Sequence, residues 1–583
     1  MLYWQGVKKT ILTRPVPPAA PLIGLDPVLA RVFQSRGIAA AEELDTGLQR
    51  LPSPWLFSGM RAMADCLAEA VFQGKKLCVV ADFDADGATS CALAVKGLSM
   101  LGARRPSFIT PNRFKLGYGL TPEIVALILR QPEPPDILLT VDNGVSSIEG
   151  AAAAKAAGLK LLITDHHLPG AELPRADAMV NPNLSGDAFP GKHIAGVGVM
   201  FYVLMALRIR LRELGWFEKL KKTEPNLAQL LDYVALGTVA DVVALDQTNR
   251  ILVHQGLRRI RAGQCQPGIK QLCEIADRAL PRLNAADLGF ALAPRLNAAG
   301  RMDDMTLGIQ CLLADNEEQA RHLARQLDQL NQERKEVEGQ MKNDALALLH
   351  DLSLRADQSA MAGVCLYDPG WHQGVIGILA SRIKDRLQRP VIAFAPADNG
   401  DLKGSARSIA GVHIRDALSD IAAAHPKILS KFGGHALAAG LTIKLHDYPQ
   451  FALLFAEEIA CKLTDMEMTH TIYTDGELDH AHFNLDFAEQ LQQAAVWGQA
   501  FPEPAFRGAF DVIQCRVVGG QHLKFVLRLP FDGALVDAIA FFAEQPESWL
   551  QCRKITAVYK LDVNWFRGQK TLQLQLHYLE KWE

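Results

Sequence analysis

The segment Leu77-Cys78-Val79-Val80-Ala81-Asp82-Phe83-Asp84-Ala85-Asp86-Gly87 constrains the fold of this chain more than any other. An unbroken apolar run suits a strand covered on both faces, the kind found inside a parallel sheet. Three carboxylates at alternate positions follow at once. Unpaired in a low-dielectric crevice they repel one another, and ionising each is costly. A divalent cation removes that penalty. Oxygen ligands suit Mg2+ or Mn2+, and added imidazoles tilt the choice toward Mn2+. Read alone, the segment also fits a solvated acidic loop or a calcium loop of the D-x-D-x-D-G type. The EF-hand version needs a glutamate at its twelfth position, which counted from Asp82 is Leu93.

Around this segment strands alternate with helices. Pro106–Thr110, Ile137–Val141 and Lys160–Thr164 read as strands. Between them the pattern predicts a helix from Thr89 with Thr89 or Ser90 as its cap, one opened by Thr121-Pro122-Glu123, and an alanine-rich one over Ile148–Ala157. The fold class is α/β with a parallel sheet. Asp142 ends the third strand, Asp165-His166-His167 the fourth, and Asp241 follows in Gly237-Thr238-Val239-Ala240-Asp241. Ligands of open parallel sheets bind outside the carboxyl ends of the strands, so these side chains would converge on a site for two cations. One such Asp is commonly a turn residue or a helix cap; the whole set is poorly explained that way.

The chain has 583 residues, enough for about four domains. The boundaries expected are a 1–50 N-terminal segment, a 51–265 catalytic α/β domain, a 266–350 helical connector, a 351–465 smaller α/β domain and a 466–583 β-barrel. Apolar residues from Leu323 to Leu348 keep one face of a long helix over 315–350, which suits a connector between domains. The alternation in Leu572-Gln573-Leu574-Gln575-Leu576-His577-Tyr578 marks a half-buried strand of the barrel. Net charge is −3, with Lys+Arg 61 against Asp+Glu 64, so nucleic-acid contact would need a local patch. Ten scattered cysteines without a CxxC pair speak against a cysteine zinc site or a secreted disulfide framework and for reduced thiols in the cytoplasm. No signal peptide is visible. The longest uncharged apolar stretch, Ile194–Leu207, is too short to span a bilayer.

The four ordered motifs Asp82-Phe83-Asp84-Ala85-Asp86-Gly87, Asp142-Asn143-Gly144, Asp165-His166-His167 and Gly237-Thr238-Val239-Ala240-Asp241 resemble those of the DHH phosphoesterase family. Gly370-Trp371-His372-Gln373-Gly374, Gly404-Ser405-Ala406-Arg407-Ser408 and Phe432-Gly433-Gly434-His435-Ala436 resemble the associated DHHA1 substrate-binding domain. With the terminal β region, taken as OB-like, the resemblance runs from about residue 50 to the C-terminus. It implies a single-strand-specific 5′→3′ DNA exonuclease of repair and recombination, using two Mn2+ or Mg2+ ions. By motif position it implies Asp84, Asp86, Asp142, His166 and Asp241 as metal ligands, with Asp142 bridging. Asp82 is a further ligand or orients the loop, since the His found four residues before the middle Asp in several family branches is Val80 here. His167 would contact the phosphate, with Asp165 orienting the imidazoles.

The loop with Arg113, Phe114, Lys115 and Tyr118 mixes cations and aromatics, as phosphates and unstacked bases require. Arg301, Ser405, Arg407, Gly433, Gly434 and His435 are further candidates for holding phosphates. The resemblance also implies a single-strand-binding protein and a helicase as partners, a monomer, and no membrane association. Two alternatives stay open: a phosphodiesterase acting on short oligonucleotides or cyclic dinucleotides, and a non-catalytic DNA-binding scaffold. The first should be shorter and lack the β domain; the second should have lost carboxylates.

Overall fold

Uninterrupted burial of Leu77–Ala81 places that run inside a parallel sheet, as its lack of polar residues demands. The computed structural model describes residues 9–18, 22–112, 119–355, 362–397, 400–429, 431–463, 471–543, 545–566 and 568–582. In chain order the first part contains β1 (Thr10–Thr13), α1 (Pro27–Gln34), α2 (Met60–Gln73), β2 (Leu77–Ala81), α3 (Ala85–Met100), β3 (Ser107–Ile109), α4 (Pro122–Leu129), β4 (Ile137–Val141), α5 (Ile148–Ala156), β5 (Lys160–Thr164) and β6 (Ala178–Val180). The sheet order is β3-β2-β4-β5-β6, with every pairing parallel. Ala81 pairs with Val141, and Val141 with Thr164. Three strands therefore end level, and the next residues are Asp82, Asp142 and Asp165.

Helix α3 begins at Ala85, not at Thr89. Asp84 is its N-cap and accepts the Gly87 N–H at 2.9 Å. A carboxylate both satisfies an unpaired N–H there and favours the positive end of the helix. The acidic loop and the helix start are one structure. Thr89 instead bonds back to the Ala85 carbonyl at 2.9 Å.

The helices α6 (Gly196–Glu213), α7 (Trp216–Leu220), α8 (Leu231–Ala240), α9 (Gln247–Arg261), α10 (Pro267–Ile275), α11 (Ala285–Asp287), α12 (Ala293–Met302), α13 (Thr306–Leu313) and α14 (Glu317–Arg355) follow. α6 is buried along nearly its whole first half, packed against α2, α3 and α8. Among the described residues, no helix is long and apolar enough to cross a membrane.

Two compact units result: Leu330–Ile472, and Ile11–Gln329 together with Tyr473–Glu583. The former contains β7 (Val364–Tyr367), α15 (Ile376–Leu387), β8 (Val391–Pro396), β9 (Asp401–Arg407), α16 (Ile414–Ala424), β10 (Lys431–Gly434), β11 (Ala438–Lys444) and α17 (Tyr448–Leu463), with sheet order β10-β11-β9-β8-β7. Its core gathers Phe394, Leu418, Leu441, Phe451 and Phe455. Trp371 is buried.

After β12 (Thr471–Thr474) and α18 (Leu485–Ala494), strands β13 (Phe506–Val518), β14 (His522–Arg528), β15 (Leu535–Ala540), β16 (Lys554–Phe566) and β17 (Gln569–Lys581) close a barrel in the order β13-β14-β15-β17-β16. Leu523, Phe525 and Leu527 alternate into its core. Arg36 ties the barrel to the N-terminal segment. Its guanidinium reaches both Asp475 oxygens, at 2.7 and 3.0 Å, and its Nε donates to the Pro502 carbonyl at 2.7 Å. Both charged side chains are 1% exposed.

Candidate metal centre

Asp82, Asp142 and Asp165 are buried at the level ends of β2, β4 and β5. Asp142 has a left-handed backbone, φ 61°, a conformation that strains a residue with a Cβ. Beside it, the Asn143 amide donates to the carbonyls of Val80 and Val141 at 3.0 and 2.9 Å, tying the ends of two strands together. Asp86, in the first turn of α3, accepts the Gly196 and Val197 N–H groups at 2.7 and 3.0 Å, where α6 begins. Asp241 arrives from the C-terminus of helix α8 and not from a strand, and Val242 after it has φ 60°. Gly237 and Thr238 are buried in α8, which packs against α3 and α6, and Val239 and Ala240 are half-buried in its last turn.

His166 joins the cluster directly. Its Nε2 lies 3.1 Å from Asp142 Oδ1 and 3.5 Å from Asp241 Oδ2. His167 is held by Asp165: its Nδ1 is 2.7 Å from Asp165 Oδ1, which also accepts the backbone N–H groups of His166 and His167. Asp165 Oδ2 takes the Val145 N–H at 2.8 Å. The Nδ1 bond to a carboxylate fixes the orientation of the His167 ring.

Ligand atoms of Asp82, Asp84 and Asp142 lie within 4.8 Å of one another, as do those of Asp86, His166 and Asp241, and those of Asp142, His166 and His167. The electrostatics are those of crowded anions. Burial, followed by the charge on Asp84, pushes the Asp82 carboxyl well above its ordinary value and that of Asp86 up to about 7. Asp142 and Asp241 are pushed up by burial and then by the charge on Asp86. For His167, burial works against the proton, but the Asp165 hydrogen bond and charge prevail and raise it to about 9. Burial likewise penalises the Asp165 anion, and His167 and the backbone donors outweigh it, leaving that carboxyl low.

The residues fit a divalent pair. Asp142 Oδ1 is buried and accepts no hydrogen bond among the described residues. The oxygen-rich set with one imidazole has the chemistry of Mn2+ or Mg2+ ligands.

Arg113, Phe114, Lys115 and Tyr118 lie outside the described residues. Arg301 lies in the last turn of α12, whose Asn297 accepts the Ala85 N–H of the acidic loop at 2.9 Å. Ser405 and Arg407 share one side of β9, joined by an Arg407 Nη1 to Ser405 Oγ bond of 3.0 Å. Gly377, in the first turn of α15, lies against them: a Cβ there would be 3.0 Å from Ser405 Oγ and 2.9 Å from Arg407 Nη2. Gly433 pairs with Gly440 and Gly440 with Ser405, a row across β10, β11 and β9. His435 donates its N–H to the Ala438 carbonyl at 2.8 Å, closing the turn after Gly434. Asn297 and Asn143 carry structural weight that the motifs alone did not assign, although Asn143 stands inside the motif Asp142-Asn143-Gly144 and Asn297 lies four residues before Arg301.

A doubly covered parallel sheet whose strand ends gather carboxylates and imidazoles defines a metal-dependent phosphoesterase of the DHH class. The sequence matches the DHH family, N-terminal domain, over residues 76–238, the DHHA1 domain over 358–460 and the RecJ OB domain over 474–578. It is 49% identical over 558 residues, 95% of this chain and 96% of the relative, to a single-stranded-DNA-specific exonuclease RecJ from Dickeya dadantii. It is 48% identical, over 94% of this chain and 95% of the relative, to that of Escherichia coli. The crystal structure of RecJ from Thermus thermophilus in complex with Mn2+ superposes with TM-score 0.78 at 29% identity, covering 99% of this chain and 80% of that one. The chain belongs to the RecJ family of exonucleases.

Proposed function

We propose that this protein hydrolyses single-stranded DNA from the 5′ end, in repair and recombination, with two divalent cations held at the ends of β2, β4 and β5. The observation that carries it is the cluster itself: ligand atoms of Asp82, Asp84 and Asp142 lie within 4.8 Å of one another, as do those of Asp86, His166 and Asp241, and His166 Nε2 lies 3.1 Å from Asp142 Oδ1, joining the two groups. Asp84, Asp86, Asp142, His166 and Asp241 are the ligands of this account, with Asp142 shared and Asp82 supporting. Bound there, the cations supply Lewis acidity toward the scissile phosphate and a more acidic water.

The chain's own groups do the rest. Asp86, held by the α6 N–H groups, fixes one carboxylate without a mobile side chain. Protonated His167, oriented by Asp165, presents a donor to a phosphate oxygen where negative charge grows. Ser405 and Arg407, beside Gly377 of α15, offer donors suited to a terminal phosphate, supported by Gly433, Gly434 and His435. The barrel supplies a face on which single strands can stack. Cytoplasmic location, action as a monomer and cooperation with a single-strand-binding protein and a helicase belong to the same proposal.

Digestion of long single strands labelled at either end, with Mn2+, Mg2+ or chelator, tests it. Early release of the 5′ label in the presence of either metal, and none with chelator, is expected. Early release of the 3′ label, or hydrolysis in chelator, contradicts it.

A further inference from the structure

We infer that Asn297 and Gly300, on α12, are positioning residues that clamp the carboxylate loop Asp82–Asp86; the inference rests on the reading above, in which that loop holds divalent cations. The two stand three apart and share one face of the helix. Asn297 Oδ1 accepts the Ala85 N–H at 2.9 Å. Gly300 meets the neighbouring carbonyl: a Cβ there would lie 1.9 Å from Phe83 O and 3.0 Å from Phe83 C. The peptide groups on either side of Asp84 are thus both fixed from outside the loop.

The loop cannot supply this restraint itself. Ala85 N–H is the first donor of α3 and has no partner within the helix. Asp84 Oδ1, which caps the helix, accepts the Gly87 N–H at 2.9 Å and not that of Ala85. Asp82 Oδ1 is spent on Phe83 N–H at 2.7 Å. Among the described residues, Asn297 is the one that reaches Ala85 N–H. The platform is firm, because Leu296, Ala298, Ala299 and Gly300 are all buried. Without a side chain at residue 300 the helix approaches the loop backbone directly, so a small movement of α12 is a movement of Asp84. Groups that orient metal ligands in this way typically change metal affinity by about 10–100-fold when removed.

The test uses the full chain and Mn2+ itself, titrated by calorimetry and followed by electron paramagnetic resonance of the free ion. Asn297→Ala should bind Mn2+ at least about tenfold more weakly, while its affinity for single-stranded DNA in chelator and its melting temperature in chelator stay near those of the parent. Asn297→Asp keeps an acceptor oxygen in place and should recover most of the affinity. Parental Mn2+ affinity in Asn297→Ala overturns the inference, as does an Asn297→Asp protein as impaired as the alanine variant. Should Asn297→Ala fail to fold, Asn297→Asp decides: near-parental affinity supports the clamp and a tenfold loss overturns it. A parent that binds no Mn2+ is a different result, and it removes the metal centre itself.

Discussion

Gly196 touches two carboxylates at once: its N–H donates to Asp86 Oδ2 at 2.7 Å, and a Cβ on it would sit 2.4 Å from Asp142 Oδ1. Approach that close is open only to glycine, and Asp142 is already strained at φ 61°. Gly196→Ala should displace Asp142 and lower nuclease turnover at least about 100-fold, with single-strand binding in chelator retained. Rates on a labelled oligonucleotide, beside a binding isotherm, check this. Parental turnover would mean that Asp142 need not stay where it is.

The crowded carboxyls give the cation-free protein a pH signature. Asp86 is raised to about 7, and Asp82, Asp142 and Asp241 are raised as well. A carboxyl raised on folding contributes stability that is full below its unfolded value and is lost as pH climbs through the folded one. In chelator the melting temperature should therefore fall between about pH 6 and pH 8. Cations compete with those protons, so the gain in melting temperature on adding Mn2+ should be larger at about pH 8. An equal or smaller gain at the higher pH runs against the assignment.

Arg36 and Asp475 form a buried, two-toothed pair, and the Ala505 N–H adds a third bond to Asp475 at 2.9 Å. Removing one partner strands the other charge without water. Asp475→Ala should destabilise the unit by about 3–5 kcal/mol, read from denaturant or thermal unfolding. A loss below about 1 kcal/mol would show that the barrel is held by other contacts.

Arg407→Ala should weaken binding of 5′-phosphorylated single strands while leaving Mn2+ affinity unchanged. The slope of log affinity against log salt should become shallower by about one unit. Unchanged affinity and slope would remove Arg407 from the substrate path.

The parallel sheet and the residues at its strand ends are legible in the sequence because their signals are local. An apolar run such as Leu77–Ala81 has few other fates, and carboxylates placed directly after it announce the site. The start of α3 is obscured for a related reason: Asp84 looks like a ligand and is also a helix cap, and spacing alone does not separate the two. Asp241 carries no mark of whether a strand or a helix delivers it, since buried helices and buried strands share the same apolar composition. The Arg36–Asp475 pair and the Asn297–Ala85 bond join residues hundreds of positions apart, where periodicity says nothing.

Anomalous diffraction at the manganese edge, from crystals grown with Mn2+, tests the central claim most directly. Two peaks should lie among Asp84, Asp86, Asp142, His166 and Asp241, and both should vanish in His166→Ala, Asp142→Ala double-variant crystals. Peaks only at other places, or none in a protein that still degrades single-stranded DNA, would contradict it.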